Sequence, residues 1–487
     1  MVDAANATLT AYSYVAIVIF VLTIALVIRP VKIRVHPHIK IYLTIATVPP
    51  LSVLILLIIR AIDFDVVGRG FLGTMGVQPW AILILFYSLA YICISLDMTG
   101  VFQFCAFWVS KKAGNRGMLA FTLFFILTSV MSGLTSNDVV ILTGTVFLSY
   151  FTKVSDIIPT AFLMSEFTTA NIASMALYIG NPTNVVVSEA YGISFITYSA
   201  WMLLPTVVVL LLAYIILRLV FHSEHYLPRH INPPDADPRS VLIDPHGAVF
   251  GLVLLACCLL TLVGTSFAHV PVWMVTLPFA CVMLIRDIQH DLGLSFHRLF
   301  QRIRHRRKHQ TYFHPLYRAW KWYRHHLPTL YAVTLRMPWP ILPFSLGMFI
   351  LIEALSDLGW VGIFATAMAV FAKNYATAVL GTVFVSILAC QLLNNLIIQH
   401  PNFTQHVQSD ATMQGFLLGL IVGSNLGACL TLVGSLAGIM FDHILKTKGI
   451  YTLGYFQFLK WNLVILPVLA LGASAILIAE IWFMYLR

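Results

Sequence analysis

Apolar residues in this chain run in long unbroken blocks, with neither the alternation of a half-buried strand nor the three-to-four spacing of a half-buried helix. Candidate spans are 12–28, 41–59, 80–96, 118–134, 139–150, 159–180, 198–220, 248–264, 270–285, 339–355, 376–393, 413–432, 433–445 and 461–485. Most approach the roughly 20 residues that an α-helix needs to cross a bilayer, and they exceed the about 10 of a membrane strand. The pattern therefore predicts an all-α polytopic membrane protein.

Polar punctuation inside these blocks comes twice. The stretch from Asn171 to Gly180 aligns with that from Asn425 to Gly434, 254 positions on: each is an Asn, eight mostly apolar or small residues, then a Gly. A second polar break precedes each, Thr135-Ser136-Asn137-Asp138 in the first half and Asn394-Asn395 in the second. Paired interruptions at matching places in two halves of a chain point to a secondary transporter with its site near the bilayer midplane. Residues 118–150 read as a re-entrant hairpin with Ser136-Asn137-Asp138 at its tip, and 376 to about 407 as its counterpart with Asn394-Asn395 at the tip. Non-helical backbone at that depth must be buried in protein or line a wet cavity. A weaker echo, Phe86-Tyr87-Ser88-Leu89 against Phe344-Ser345-Leu346, supports the register, and 101–110 and 360–372 suit interfacial helices.

Composition agrees: 59% of residues are hydrophobic, 10% are charged and the mean hydropathy is +0.88, against about 25% charged in soluble domains. The excess of basic residues, a formal charge of +10, bears on topology and not on nucleic acid, for which no binding is expected. Lys and Arg gather at Arg29, Lys32, Arg34 and Lys40, at Lys111, Lys112 and Arg116, in 286–336, and at Lys446 and Lys448. All fall on one side if the N-terminus is outside and neither hairpin crosses. Two inverted repeats result, each of five transmembrane helices plus a re-entrant hairpin, with a broken helix in each half. The first is 10–220 (scaffold helices 10–97, hairpin and transport helices 117–220). A cytoplasmic linker, 221–245, leads to the second, 246–486 (scaffold helices 246–357, hairpin and transport helices 375–486), which carries a basic cytoplasmic loop at 287–338. Its segment 297–326 reads as a linker that fixes topology, with an anionic-lipid patch as the functional alternative. No removable signal peptide is expected, and of the sequons at Asn6 and Asn402 the second reads as chance. Seven Cys without paired spacing indicate neither a disulfide framework nor zinc. Cys429 reads as a packed small hydrophobe, with a thiolate ligand for a thiophilic metalloid as the sharper alternative.

A hairpin tip facing an unwound helix supplies free backbone N–H and C=O groups and half-helix dipole ends, which small polar side chains complete. Ser136, Asn137 and Asp138, facing Asn171 and Gly180, Asn181, Thr183 and Asn184, form such a set. Asn394 and Asn395, facing Asn425, Gly427, Thr431, Gly434 and Ser435, form the second. Asp138 is the leading proton or sodium carrier, since a carboxylate at bilayer depth costs roughly 2.5 to 3.5 kcal/mol on insertion scales. Glu166, midway along the broken helix, is the other proton carrier candidate. Glu353 is either a buried structural acid or a dimer-contact residue, and Asp442 and His443 read as solvated. No P-loop, HExxH or GxSxG is present, so no enzyme and no cofactor are expected; the coupling ion is H+ or Na+.

Thr135-Ser136-Asn137-Asp138, Gly180-Asn181-Pro182-Thr183-Asn184-Val185, Gly423-Ser424-Asn425-Leu426-Gly427 and Leu430-Thr431-Leu432-Val433-Gly434-Ser435-Leu436 resemble the ion transporter superfamily. That group holds arsenical pump membrane proteins, silicon efflux transporters, NhaD-type sodium/proton antiporters and the sodium symporters of citrate and dicarboxylates. The second-half pattern, with Met337-Pro338-Trp339-Pro340-Ile341-Leu342-Pro343-Phe344, is most similar to the arsenical pump branch. The resemblance implies a homodimer with a scaffold and a mobile transport domain working as an elevator, and ion and substrate sites at the two residue sets above. The carboxylate symporters carry Ser-Asn-Thr at both tips; the acidic tip here suits proton exchange, or a neutral or cationic substrate. The expectation is a multi-pass protein of the plasma membrane or an organelle that expels an arsenite- or antimonite-like oxyacid, coupled to protons. The alternative is a sodium-coupled di- or tricarboxylate symporter or a sodium/proton antiporter.

Overall fold

Apolar blocks in a bilayer have no water to satisfy their backbone, so they close their hydrogen bonds as helices. The computed structural model of the protein describes all residues except 1–8, 29–30, 37–38, 75–77, 233–236, 269, 294–322, 390–406, 408 and 433–434. Among the described residues, seven helices are long and apolar enough to cross a membrane, from Pro79–Met98 to Tyr455–Tyr485. Two compact units share the chain: one comprises 1–83, 108–235 and 338–487, the other 84–107 and 236–337.

The larger unit begins with α1 (Ala11–Ile28), β1 (Val31–His36), β2 (Ile39–Leu43), α2 (Val48–Ile58) and α3 (Phe64–Leu72). The two strands pair antiparallel, with an irregularity between Arg34 and His36. They correct the all-α expectation locally: the span expected at 41–59 is helical only over Val48–Ile58, and α3 follows it. Chain direction explains this, because Pro49 and Pro50 fit only at a helix start, which fixes where α2 begins.

From the other halves of the chain the unit takes α6 (Gly117–Leu134), α7 (Asn137–Val154), α8 (Thr160–Ala173), α9 (Pro182–Ala190) and α10 (Phe195–Val220). To these it adds α14 (Ile341–Asp357), α15 (Trp360–Met368), α16 (Tyr375–Ala389), α17 (Asp410–Gly427), α18 (Leu436–Thr447) and α19 (Tyr455–Tyr485). Helix α10 shows why these belong in lipid. Met202, Thr206, Val209, Ala213 and Leu217 are buried on one face, while Leu203, Val207, Leu211, Ile215 and Leu219 are exposed. A contiguous apolar stripe of that length in water would be an aggregation liability. The expected interfacial stretches are helical: 360–372 gives α15 and one tight turn at Ala369–Phe371, and 101–110 gives α5 (Val101–Ala113), which runs from the smaller unit into this one.

Helices α16 and α17 approach closely along four glycines spaced by four. A Cβ on Gly415 would lie 2.9 Å from the Tyr375 carbonyl oxygen, on Gly419 3.0 Å from that of Val379, on Gly423 2.6 Å from that of Val383, and on Gly427 3.0 Å from Ile387 Cα. Where lipid is as apolar as the side chains, such small-residue stripes supply the packing. Helix α14 packs on α2 and α3. Its partly buried Glu353 accepts from Arg69 Nε at 2.8 Å and Thr74 Oγ1 at 2.9 Å, an ion pair within the chain. Asp442 pairs with Lys446 at 2.5 Å, one turn on, and the neighbouring His443 is exposed.

The smaller unit holds most of α4 (Pro79–Met98), α11 (Pro245–Ser266), α12 (Val272–Leu292) and α13 (Pro328–Arg336). Here the expected basic loop 287–338 needs correction: α12 continues to Leu292 and α13 covers 328–336, while 297–322 lies outside the described residues. Charge satisfaction explains the extra helix. Buried Asp287 accepts from Tyr91 at 2.9 Å, Ser95 at 2.6 Å and Arg286 at 3.2 Å, and the Asp291 carboxylate receives the Leu330 N–H at the start of α13 at 3.0 Å. Burial pushes the Asp244 carboxyl up, but Arg286 and the Gly247 amide on its oxygens hold it below the usual carboxylate range. Asp97 pairs with Arg336 at 2.8 Å.

Two substitutions test this packing by thermal melting of the detergent-purified protein. Gly423→Leu is expected to lower stability by about 1–3 kcal/mol through overpacking against α16. Glu353→Ala is expected to cost about 1–2 kcal/mol, less than a fully buried pair because Arg69 is partly exposed. Melting unchanged in both would remove the glycine stripe and the Arg69–Glu353 pair as supports of the fold.

Candidate functional site

Helix α8 stops at Ala173 and α9 starts at Pro182; helix α17 stops at Gly427 and α18 starts at Leu436. Both edges of the second break thus lie 254 positions after their counterparts, and so do the residues that cap the restarting helices, Asn181 and Ser435. Asn181 Oδ1 accepts from the Thr183 N–H at 3.2 Å, and Ser435 Oγ from the Gly438 N–H at 3.0 Å. Each such cap is worth about 1 kcal/mol, and Pro182 at the first helical position has no N–H to leave unsatisfied.

The first break folds back on itself because Gly180 lets it. A Cβ there would collide with the Ser174 carbonyl oxygen. That carbonyl accepts from Asn184 Nδ2 at 2.9 Å, which also reaches the Leu177 carbonyl at 3.2 Å. Asn184, fully buried, therefore satisfies the backbone that the missing helix leaves open.

Asn425, fully buried at the end of α17, ties the second half to the first. Its Nδ2 donates to Asn184 Oδ1 at 2.7 Å and to the Ile421 carbonyl at 2.8 Å. Its Oδ1 accepts from Asn181 Nδ2 at 2.9 Å and, at the long end, from Ser174 Oγ at 3.4 Å. Ser174 Oγ also lies 2.9 Å from the Asn171 carbonyl, and Asn171 Oδ1 accepts from Asn137 Nδ2 at 3.0 Å. One network of neutral amides and hydroxyls thus runs from the α6–α7 tip through the first break into the second. Which end of each amide is oxygen follows from these partners.

Of the residues singled out from sequence, Asn137, Asn171, Asn181, Asn184 and Asn425 meet in this network, with Gly180 beneath it. Ser136 precedes α7, and Asp138 sits half-buried in its first turn. Thr183 contributes its N–H to the cap, while its buried Oγ1 has no partner among the described residues. Thr431 is half-buried in the second break, and Ser435 Oγ lies 3.5 Å from the Ala428 carbonyl. Gly427 is the last glycine of the stripe against α16. Asn394, Asn395 and Gly434 lie outside the described residues. Cys429 is buried, with a free thiol. Glu166, also buried, lies along α8 and accepts from Thr145 Oγ1 at 3.1 Å. Sequence reading missed Ser174, Gly144 and Thr145; only Ser174, three residues after Asn171 within the break, had a local signal.

Apolar spanning helices and a polar site built at two breaks make this a polytopic membrane transporter. The chain belongs to the citrate transporter family, whose profile matches residues 8–398, and residues 327–482 also match the profile of the arsenical pump membrane protein. It is 25% identical over 430 residues to the arsenical pump membrane protein of Escherichia coli strain K12, covering 86% of this chain and 91% of that one. Its fold is similar to that of the YdaH transporter of Alcanivorax borkumensis, with a TM-score of 0.52 at 13% identity, covering 97% of this chain and 98% of that one. Neisseria gonorrhoeae MtrF, from a class of antimetabolite efflux pumps, gives a TM-score of 0.50 at 11% identity, covering 96% and 95%.

Removing the Asn425 side chain leaves Asn181 and Asn184 with buried unpaired groups, at about 1–3 kcal/mol each. Asn425→Ala is thus expected to melt clearly below wild type in detergent, and Asn425→Asp, which keeps the acceptor but loses the donor, in between. An Asn425→Ala protein as stable as wild type would mean that the inter-half network carries no energy.

Proposed function

We propose that the protein expels a small neutral oxyacid of the arsenite or antimonite type in exchange for protons, by an elevator motion of its hairpins and broken helices, 117–220 and 375–486, against the remaining helices. The observation that carries this reading is the chemical neutrality of the network around Asn425. Its side chains are amides and hydroxyls, which match a small solute whose oxygens both donate and accept. A tricarboxylate needs opposite charge. The N-termini of α7, α9 and α18 offer about half an elementary charge each, together roughly half of what three carboxylates carry. No Lys, Arg or His takes part in the network among the described residues.

In this reading the 254-residue offset of the two breaks marks an inverted repeat, and Asp138, at the tip beside Asn137, takes and releases the coupling proton. The N-terminus lies outside, the protein works as a homodimer, and 297–326 meets anionic lipid or fixes topology. A second reading has its own support: the citrate transporter profile matches 391 of 487 residues, which favours a sodium-coupled carboxylate symporter or a sodium/proton antiporter.

Proteoliposomes decide between them. Arsenite flux driven by an imposed pH gradient, without a sodium requirement, supports the first reading; citrate uptake that needs sodium overturns it in favour of the second. Asp138→Asn is expected to abolish the pH dependence of transport at a near-normal protein level in the membrane, and unchanged pH dependence would remove Asp138 as the carrier. Asn171→Ala and Asn425→Ala are each expected to reduce flux by about tenfold or more, the effect of losing roughly 1.4 kcal/mol of binding.

A further inference from the structure

Two helical turns below the tip, α7 and α8 meet at a carboxyl group that the amide network does not use. Glu166 is 2% exposed. Its Oε2 accepts from Thr145 Oγ1 at 3.1 Å, and its Oε1 has no hydrogen-bond partner among the described residues. The carboxyl fits only because α7 has a glycine there: a Cβ on Gly144 would collide with Oε1. We infer that Glu166 is a second protonation site, a carboxyl seated in the Gly144 notch that carries its proton separately from Asp138. This rests on the reading of the protein as a proton-coupled transporter.

Energetics favour the proton over any other occupant. An ionised carboxylate buried with one hydroxyl donor keeps an uncompensated charge, at several kcal/mol even after relaxation. The neutral acid leaves one polar group short of a partner, at about 1–3 kcal/mol. A sodium ion would need several oxygens around it, and the Thr145 hydroxyl is the one polar group bonded to this carboxyl among the described residues.

Among the described residues no cation is paired with the carboxyl. Helix α8 packs against α6, α7, α10 and α17, and Phe167 stacks near Phe441 of α18 and Phe458 of α19. Helix α6 has no titratable residue. On α7 the charged residues are Asp138 and Lys153, six and nine positions from Gly144. Arg218 of α10 bonds Tyr214, and Tyr198 bonds the Met175 carbonyl. Asp410 stands exposed at the start of α17, Asp442 of α18 pairs with Lys446, and α19 bears Lys460 and Glu480. None of these is bonded or ion-paired to Glu166 among the described residues. Protonation changes the Glu166 carboxylate to a carboxylic acid with no other bond made or broken. Release needs water or a base to reach Oε1, which the α7–α8 contact bars in the present arrangement.

Infrared spectroscopy of the full-length protein in lipid reads this without any transported substrate. At neutral pH the wild type minus Glu166→Gln difference is expected to show the C=O stretch of a protonated carboxyl, and Gly144→Ala, which keeps the acid but fills the notch, should shift that band. A difference showing carboxylate bands instead would overturn the proposal. In proteoliposomes the ratio of arsenite flux with a pH gradient to flux without one should fall to unity in Glu166→Gln and be partly restored in Glu166→Asp; a wild-type ratio in Glu166→Gln would also overturn it. If the wild type shows the carboxyl band yet moves neither arsenite nor citrate under a pH gradient, the transport reading fails while the protonation site stands.

Discussion

The side chain of Asn425 is the joint on which the interior depends. A membrane helix may stop midway only if something replaces the hydrogen bonds it gives up, because hydrocarbon offers none. Here the replacement at the first break is the Asn184 side chain, and the group that fixes Asn184 comes from the other half of the chain. Asn425 binds Asn181 and Asn184, and Asn184 in turn holds the Ser174 and Leu177 carbonyls that the first break exposes. The two halves are therefore joined through side chains beside the first break, and a displacement of α17 moves the partners of Asn181 and Asn184.

Much of this was legible in the sequence, for identifiable reasons. Helix ends at the breaks are marked by residues with fixed backbone meanings, so Asn171, Gly180 and Pro182 on one side and Asn425 and Ser435 on the other located both gaps. The long helices followed from apolar length, but the expected span 159–180 ends as a helix at Ala173. What escaped were features set by partners distant in sequence. The β1–β2 hairpin did leave a local trace, the alternation of Val31, Ile33 and Val35 with Lys32, Arg34 and His36, but those charges were read for topology alone. The spacing of Gly415, Gly419, Gly423 and Gly427 by four also describes a packing stripe, a role for Gly427 that the sequence reading did not bring out. That Asn425 meets Asn181 and Asn184, and reaches Asn171 only through Ser174, follows from the fold and from no spacing in the chain.

The acids of the interior separate into two kinds by their donors. An ionised carboxylate in a medium of low dielectric needs hydrogen bonds on both oxygens and a positive partner. Asp287 has three donors, including Arg286, and Glu353 has Arg69 and Thr74. Such saturated acids are fixed parts of the scaffold, because changing their protonation would orphan the donors aimed at them. Glu166, with one hydroxyl and a glycine notch, has almost no donors to orphan. Its protonation can change at a cost set mainly by burial, so a motion that admits water to Oε1 is enough to alter it. The interior thus pairs a network of neutral amides, every bond of which is between uncharged groups, with a carboxyl whose charge is set by its access to water.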